Sequence, residues 1–202
     1  MQCIHHVLVE RVVDHRPTVG FEGQRAVVAV DRIAGRDGPG QDGRCGIHAV
    51  YEEGARTWRR AAAYARHTIE LVSKMLHPYP WPHMTACEGV IGGGMEFPMM
   101  TICGGRGRSV QGVVTHELIH MWFPMLVGSN EKRFAWQDEG LTTFLTAVTT
   151  DAYREEGRTP RRRRNRLGTY LMVAARGEPA LLMRHGDHYP EGGIYGFASY
   201  SK

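Results

Sequence analysis

The stretch VVTHELIHMWF, residues 113–123, decides how this chain reads. It holds His116, Glu117 and His120 in an H-E-x-x-H pattern. On a helix, positions i and i+4 lie one turn apart on the same face, so two imidazoles there can share one ion. Glu117 follows the first of them and points to a neighbouring face. A catalytic zinc takes three protein ligands and keeps a further position open for water. Glu139 supplies the third ligand in sequence terms, because the residues between it and His120, 121–138, number 18. That interval holds the rest of one helix, a connection and the start of another. Two histidines and a glutamate make the thermolysin-like set. The competing metzincin pattern needs glycine at position 123 and histidine at position 126, where this chain has Phe123 and Leu126.

Outward from the motif, Val110 to Leu126 reads as a helix, with Trp122 and Phe123 packing it and Pro124 bending or ending it after the ligands. Asp138 is placed to cap a second helix, with Leu141, Phe144, Leu145 and Val148 on one face. Nearer the start, residues 6–13, 26–31 and 46–51 are strand candidates rich in valine and isoleucine, and residues 35–44 are a loop by composition. Trp58, Ala62, Ala65, Ile69, Val72 and Leu76 recur at helical spacing, predicting a helix over 55–76 that HPYPWP (77–82) ends. Residues 84–103 read as strands around a glycine turn. GGRGRS (104–109) is a link; it has no Walker lysine and is no phosphate loop.

The 202 residues allow one domain or two small ones. Hydrophobic residues at 42% and charged residues at 23% are ordinary globular usage, which excludes a wholly disordered chain. No run approaches 20 apolar residues, so no transmembrane segment is expected. The first sixteen residues carry charges and histidines where a leader needs an apolar core. The compartment stays open between a soluble cytoplasmic and an exported protein. The four cysteines form no C-x-x-C pair, which excludes zinc ribbons and thioredoxin-type motifs and leaves pairing open. A net charge of +4 is too small to imply nucleic acid, and RTPRRRRNR (158–166) reads as a solvated face. Oligomeric state is not legible.

Several segments together resemble the aminopeptidase N family of zinc metallopeptidases, within the gluzincins. YPWP…GGGMEFPMM (79–100) resembles the family's G-x-M-E-N motif, with Gly93, Gly94, Met95, Glu96 and Phe97 in its five positions. VVTHELIHMWF and WQDEGLTTF (136–144) resemble its zinc-binding pair, and SYSK (199–202) its tyrosine segment. The resemblance covers about residues 77–202; residues 1–50 show none.

The resemblance implies an α/β (α+β) fold: a thermolysin-like zincin catalytic domain with a mixed β-sheet lobe followed by a helical lobe. Residues 1–50 would be a β-rich segment leading into an incomplete catalytic domain at 51–202, since family members continue beyond the tyrosine. It implies one zinc per chain on His116, His120 and Glu139. Glu117 would be the general base, and Tyr200 would donate its hydroxyl to the oxyanion. Glu96 would accept the α-ammonium of peptides with a free N-terminus. Gly93, Gly94 and Met95 would line the substrate, the glycines because side chains would obstruct it. Met95, Met99 and Met100 are expected in packing roles. Phe97 departs from the family's asparagine and alters the loop's hydrogen bonding. The function implied is removal of N-terminal residues from peptides. Endopeptidase or epoxide-hydrolase chemistry on the same zinc, or a non-catalytic zinc-binding module, are the alternatives.

Overall fold

The computed structural model describes residues 16–21, 24–34 and 44–153, with residues 171, 175 and 185–188. The strand candidate at 6–13, the arginine run and Tyr200 lie outside the described residues. The chain divides into two compact units, Met1–Leu118 and Ile119–Lys202.

The first unit is built on a six-stranded sheet: β1 (Arg16–Phe21), β2 (Gln24–Ala34), β3 (Arg44–Glu52), β4 (His83–Glu88), β5 (Gly94–Met95) and β6 (Met100–Cys103). Their order across the sheet is β1-β2-β3-β4-β6-β5. β3, β4 and β6 run parallel, and the other pairings are antiparallel, so the sheet is mixed as expected. Side chains alternate across a strand. Ile47, Ala49 and Tyr51 on β3, Met84 and Ala86 on β4, and Thr101 and Cys103 on β6 are accordingly buried. The parallel step from β3 to β4 needs a crossover. A 3-10 turn (Arg56–Arg60) and helix α1 (Ala61–Met75) provide it. The expected helix over 55–76 thus divides into two geometries, and it stops just before His77-Pro78, where the residue before a proline disfavours helix. α1 packs on β2, β3 and β4, burying Ala61, Ala62, Ala65, Ile69 and Val72. These are the positions whose spacing predicts the helix.

Between β4 and β6 the chain makes the glycine turn and the edge strand β5. Gly104 closes this excursion: its N–H donates to the carbonyl oxygen of Gly93 at 2.6 Å. A Cβ at Gly104 would collide with the backbone oxygen of Ile91, which has no rotamer with which to yield. Helix α2 (Ser109–Ile119) follows. Its start is tied down by Trp58 Nε1 donating to Gly105 O at 3.2 Å and Gly107 N–H donating to Thr57 Oγ1 at 3.3 Å. Its body is tied to α1 by the buried Thr68 hydroxyl, which donates to Thr115 Oγ1 at 3.3 Å.

Burial pushes the thiols of Cys45 and Cys103 up to about 12. At Cys103 the hydrogen bond with Thr101 opposes burial, and the nearby negative charge of Glu117 adds to it. Both groups hold their protons more tightly folded than unfolded. The stability they contribute is complete below about pH 9 and is lost as pH rises towards 12. The thiolate is the nucleophile. Iodoacetamide at pH 8 should therefore label both cysteines about three orders of magnitude more slowly in the native chain than in denaturant. Peptide mass mapping reads this directly. Native rates equal to the denatured ones would contradict the burial.

The second unit contains a π-helical turn (Met121–Leu126), another (Trp136–Gly140), helix α3 (Leu141–Tyr153) and a short 3-10 turn (Gly186–His188). The apolar stripe expected on α3 is only partly buried. Phe144 is 49% exposed, and the buried face is largely threonine: Thr142, Thr143, Thr146, Thr149 and Thr150, with Leu145 and Ala147. Thr146 and Thr150 donate back to the carbonyls of Thr142 and Thr146, each at 2.7 Å. This satisfies the hydroxyls within the helix and leaves their methyls to pack. Among the described residues, no helix is long and apolar enough to cross a membrane.

Candidate metal centre

His116 lies on α2, and His120 directly follows the helix with its backbone still right-handed helical (φ −56°, ψ −16°). The helical path then breaks. Phe123 is extended (φ −129°, ψ 107°) ahead of Pro124, as the residue before a proline prefers. The break comes after the second histidine, where the proline is expected to place it. Trp122 is buried at 1% exposure and packs as expected.

The break serves His120. It carries the Phe123 carbonyl oxygen to 2.8 Å from His120 Nδ1. Asp138 Oδ1 stands 2.7 Å from the same nitrogen, but off the direction in which the N–H points, so among the described residues neither Asp138 oxygen has a hydrogen-bond partner. The Thr142 hydroxyl lies 3.4 Å from Nδ1 and donates to the Phe123 oxygen at 3.3 Å. On the far side of the ring, Nε2 is 3.7 Å from Glu139 Oε2. Asp138 is therefore no helix cap. It sits inside the π turn with its side chain fully buried, and the turn has no side-chain cap. The wider π turn holds Asp138 and Glu139 on opposite nitrogens of one imidazole, an arrangement the apolar pattern does not signal. The clue available was adjacency to Glu139.

His116, His120 and Glu139 are a set that could hold a metal ion. Two imidazoles and a carboxylate are the donors of a His2Glu zinc site. The buried Asp138 carboxylate, orphaned apart from its approach to His120, is the counter-charge such an ion calls for. The residues fit zinc. Glu96, His120 and Asp138 are a second set of this kind. It shares His120 with the first, but Asp138 approaches Nδ1 whereas Glu139 approaches Nε2.

Glu117 is buried, at 5% exposure. Gly94 on the edge strand lies so close that a Cβ there would overlap the Glu117 carboxyl group. Gly93, by contrast, has φ +91° and open space where a Cβ would stand. Glu96 is half-buried in the turn after β5. Met95 and Met100 are 41% and 46% exposed, so they do not pack as expected; they lie at and beside the sheet's edge strand, where no further strand among the described residues covers them. Phe97 is 44% exposed, and its N–H donates to the Met95 carbonyl at 3.2 Å.

Residues 64–181 match the peptidase family M1 domain. The chain belongs to peptidase family M1. It is 31% identical over 91 residues to a leucine aminopeptidase 2 of Aspergillus clavatus, covering 42% of this chain and 15% of that protein. Against the Aspergillus niger leucine aminopeptidase 2, the identity is 32% over 98 residues, covering 43% and 16%. The chain thus spans less than a fifth of the length of these curated relatives. Among solved structures, a mutant M1 zinc metallopeptidase from Deinococcus radiodurans superposes with a TM-score of 0.53 at 18% identity, over 88% of this chain and 42% of that one. A two-domain M1 zinc metallopeptidase mutant bound to L-arginine gives 0.55 at 18% identity, over 85% and 38%. The fold is that of the M1 metallopeptidases.

Proposed function

We propose that this chain carries the zinc-binding core of an aminopeptidase. One zinc would sit on His116, His120 and Glu139. The observation that carries the reading is the 3.7 Å approach of Glu139 Oε2 to His120 Nε2 in an M1 chain, with His116 one helical turn before His120. When bound, zinc lowers the pKa of a coordinated water and polarises the carbonyl to be attacked. Glu117 is the base that takes the water's proton and passes it to the leaving amine. Glu96 accepts the substrate's free α-ammonium, and Gly93, Gly94 and Met95 line the peptide. A carboxylate at a set distance from the metal admits only the first peptide bond. Support for the aminopeptidase specificity comes from the relatives' name, leucine aminopeptidase 2. The role of Tyr200 as oxyanion donor rests on the SYSK resemblance. In this reading, residues 51–202 belong to the catalytic domain and residues 1–50 lead into it.

The test compares a leucyl anilide with its N-acetylated twin in the presence of zinc. Cleavage of the free amine alone is expected. Equal cleavage of both would replace the exopeptidase reading with an endopeptidase one, and zinc binding without cleavage of either would favour the non-catalytic module.

A further inference from the structure

We propose that Asp138 is a positioning residue for the metal centre. It acts through His120, holding the imidazole in the tautomer whose Nε2 carries the lone pair that would bind zinc. The proposal rests on the zinc site proposed above. His120 Nδ1 is surrounded by acceptors: the Phe123 carbonyl oxygen at 2.8 Å, the Asp138 carboxylate at 2.7 Å, and the Thr142 oxygen at 3.4 Å, whose own proton goes to Phe123. A bare lone pair at Nδ1 would face three oxygens, so the proton belongs there. A neutral imidazole carries one N–H; the lone pair is then on Nε2, the atom that faces Glu139.

Asp138 adds what the carbonyl cannot. It is completely buried, and among the described residues neither oxygen is spent on a hydrogen bond elsewhere. Its charge is therefore directed at the ring, opposing any shift of the proton to Nε2 and making Nε2 a more basic ligand. Leaving a buried carboxylate without hydrogen bonds is costly, and a cation on the far side of the same imidazole offsets that cost. Phe123 and Thr142 fix the plane of the ring, and Asp138 fixes its electronics.

The test uses the full chain and Asp138→Asn, with two readouts. The first is the zinc dissociation constant, measured by competition with a chromophoric chelator. Asp138→Asn is expected to bind zinc about 10- to 100-fold more weakly, and Asp138→Glu to recover part of the loss. The second is the nitrogen-15 shifts of the His120 side chain in the metal-free protein, which separate a protonated Nδ1 from a protonated Nε2. Wild type should show the proton on Nδ1, and Asp138→Asn should move population to Nε2–H. Unchanged zinc affinity in the variant, or a wild-type proton on Nε2, would overturn the proposal. If the wild type bound no zinc, the zinc site itself would fall, while the nitrogen shifts would still decide what Asp138 does to His120. If the variant did not fold, the wild-type tautomer would decide alone.

Discussion

Glu117→Gln should leave zinc binding intact and lower turnover by at least about 10²- to 10⁴-fold, the range that a positioned general base contributes. Glutamine matches glutamate in shape, so the buried side chain and its close neighbour Gly94 keep their packing. What the amide lacks is the capacity to accept the water's proton and return it to the leaving amine. The measurement pairs metal content with the hydrolysis rate of a free-amine anilide. Zinc retained with activity lost assigns the base. Zinc lost with activity would mean that Glu117 holds the site together. Full activity in the variant would remove Glu117 from the mechanism. Glu139→Gln provides the contrast: if the proposed zinc site holds, its loss should begin with the metal, because the amide replaces the carboxylate beside His120 Nε2.

Helical spacing pairs His116 with His120 and counting adds Glu139, and the structure brings the same three residues into one candidate set, because both signals depend on positions along the chain. β2 and β3 were legible from their valine and isoleucine content, and α1 because Ala62, Ala65, Ile69 and Val72 recur at helical spacing. What stayed hidden depends on backbone geometry that polarity does not encode. Asp138 ahead of a helix resembles a cap, and only the π turn shows that it serves His120 instead. The threonine face of α3 stayed hidden because a polarity pattern cannot show that the Thr146 and Thr150 hydroxyls are satisfied by their own helix. At Pro124 the sequence signal was sound, but its consequence, a carbonyl delivered to His120 Nδ1, needed the path of the chain. The glycine turn carries a further constraint that the sequence does not show: at Gly94 a Cβ would meet the Glu117 carboxyl group, whereas at Gly93 it would meet nothing among the described residues.

That constraint separates Gly93 from Gly94. If both were glycine only to clear the substrate, alanine at either would impair the enzyme alike. The geometry predicts a split. At Gly94 the backbone tolerates alanine, but the new methyl would overlap the Glu117 carboxyl group, the far end of a flexible side chain. The clash should therefore be relieved by moving Glu117. Gly94→Ala should cost less than about 1 kcal/mol in unfolding free energy. Its kcat should fall on the order of 10²-fold, as misplacing a reacting group by an ångström does. At Gly93 a methyl meets nothing, but φ +91° is a conformation that side chains rarely adopt. Gly93→Ala should lower stability by about 1–2 kcal/mol and shift kcat far less. Chemical denaturation and steady-state kinetics on the two variants measure both axes. Equal losses of kcat would return both glycines to the role of clearing the substrate. A Gly94→Ala enzyme with wild-type kcat would mean that Glu117 can perform its proton transfers from a displaced position.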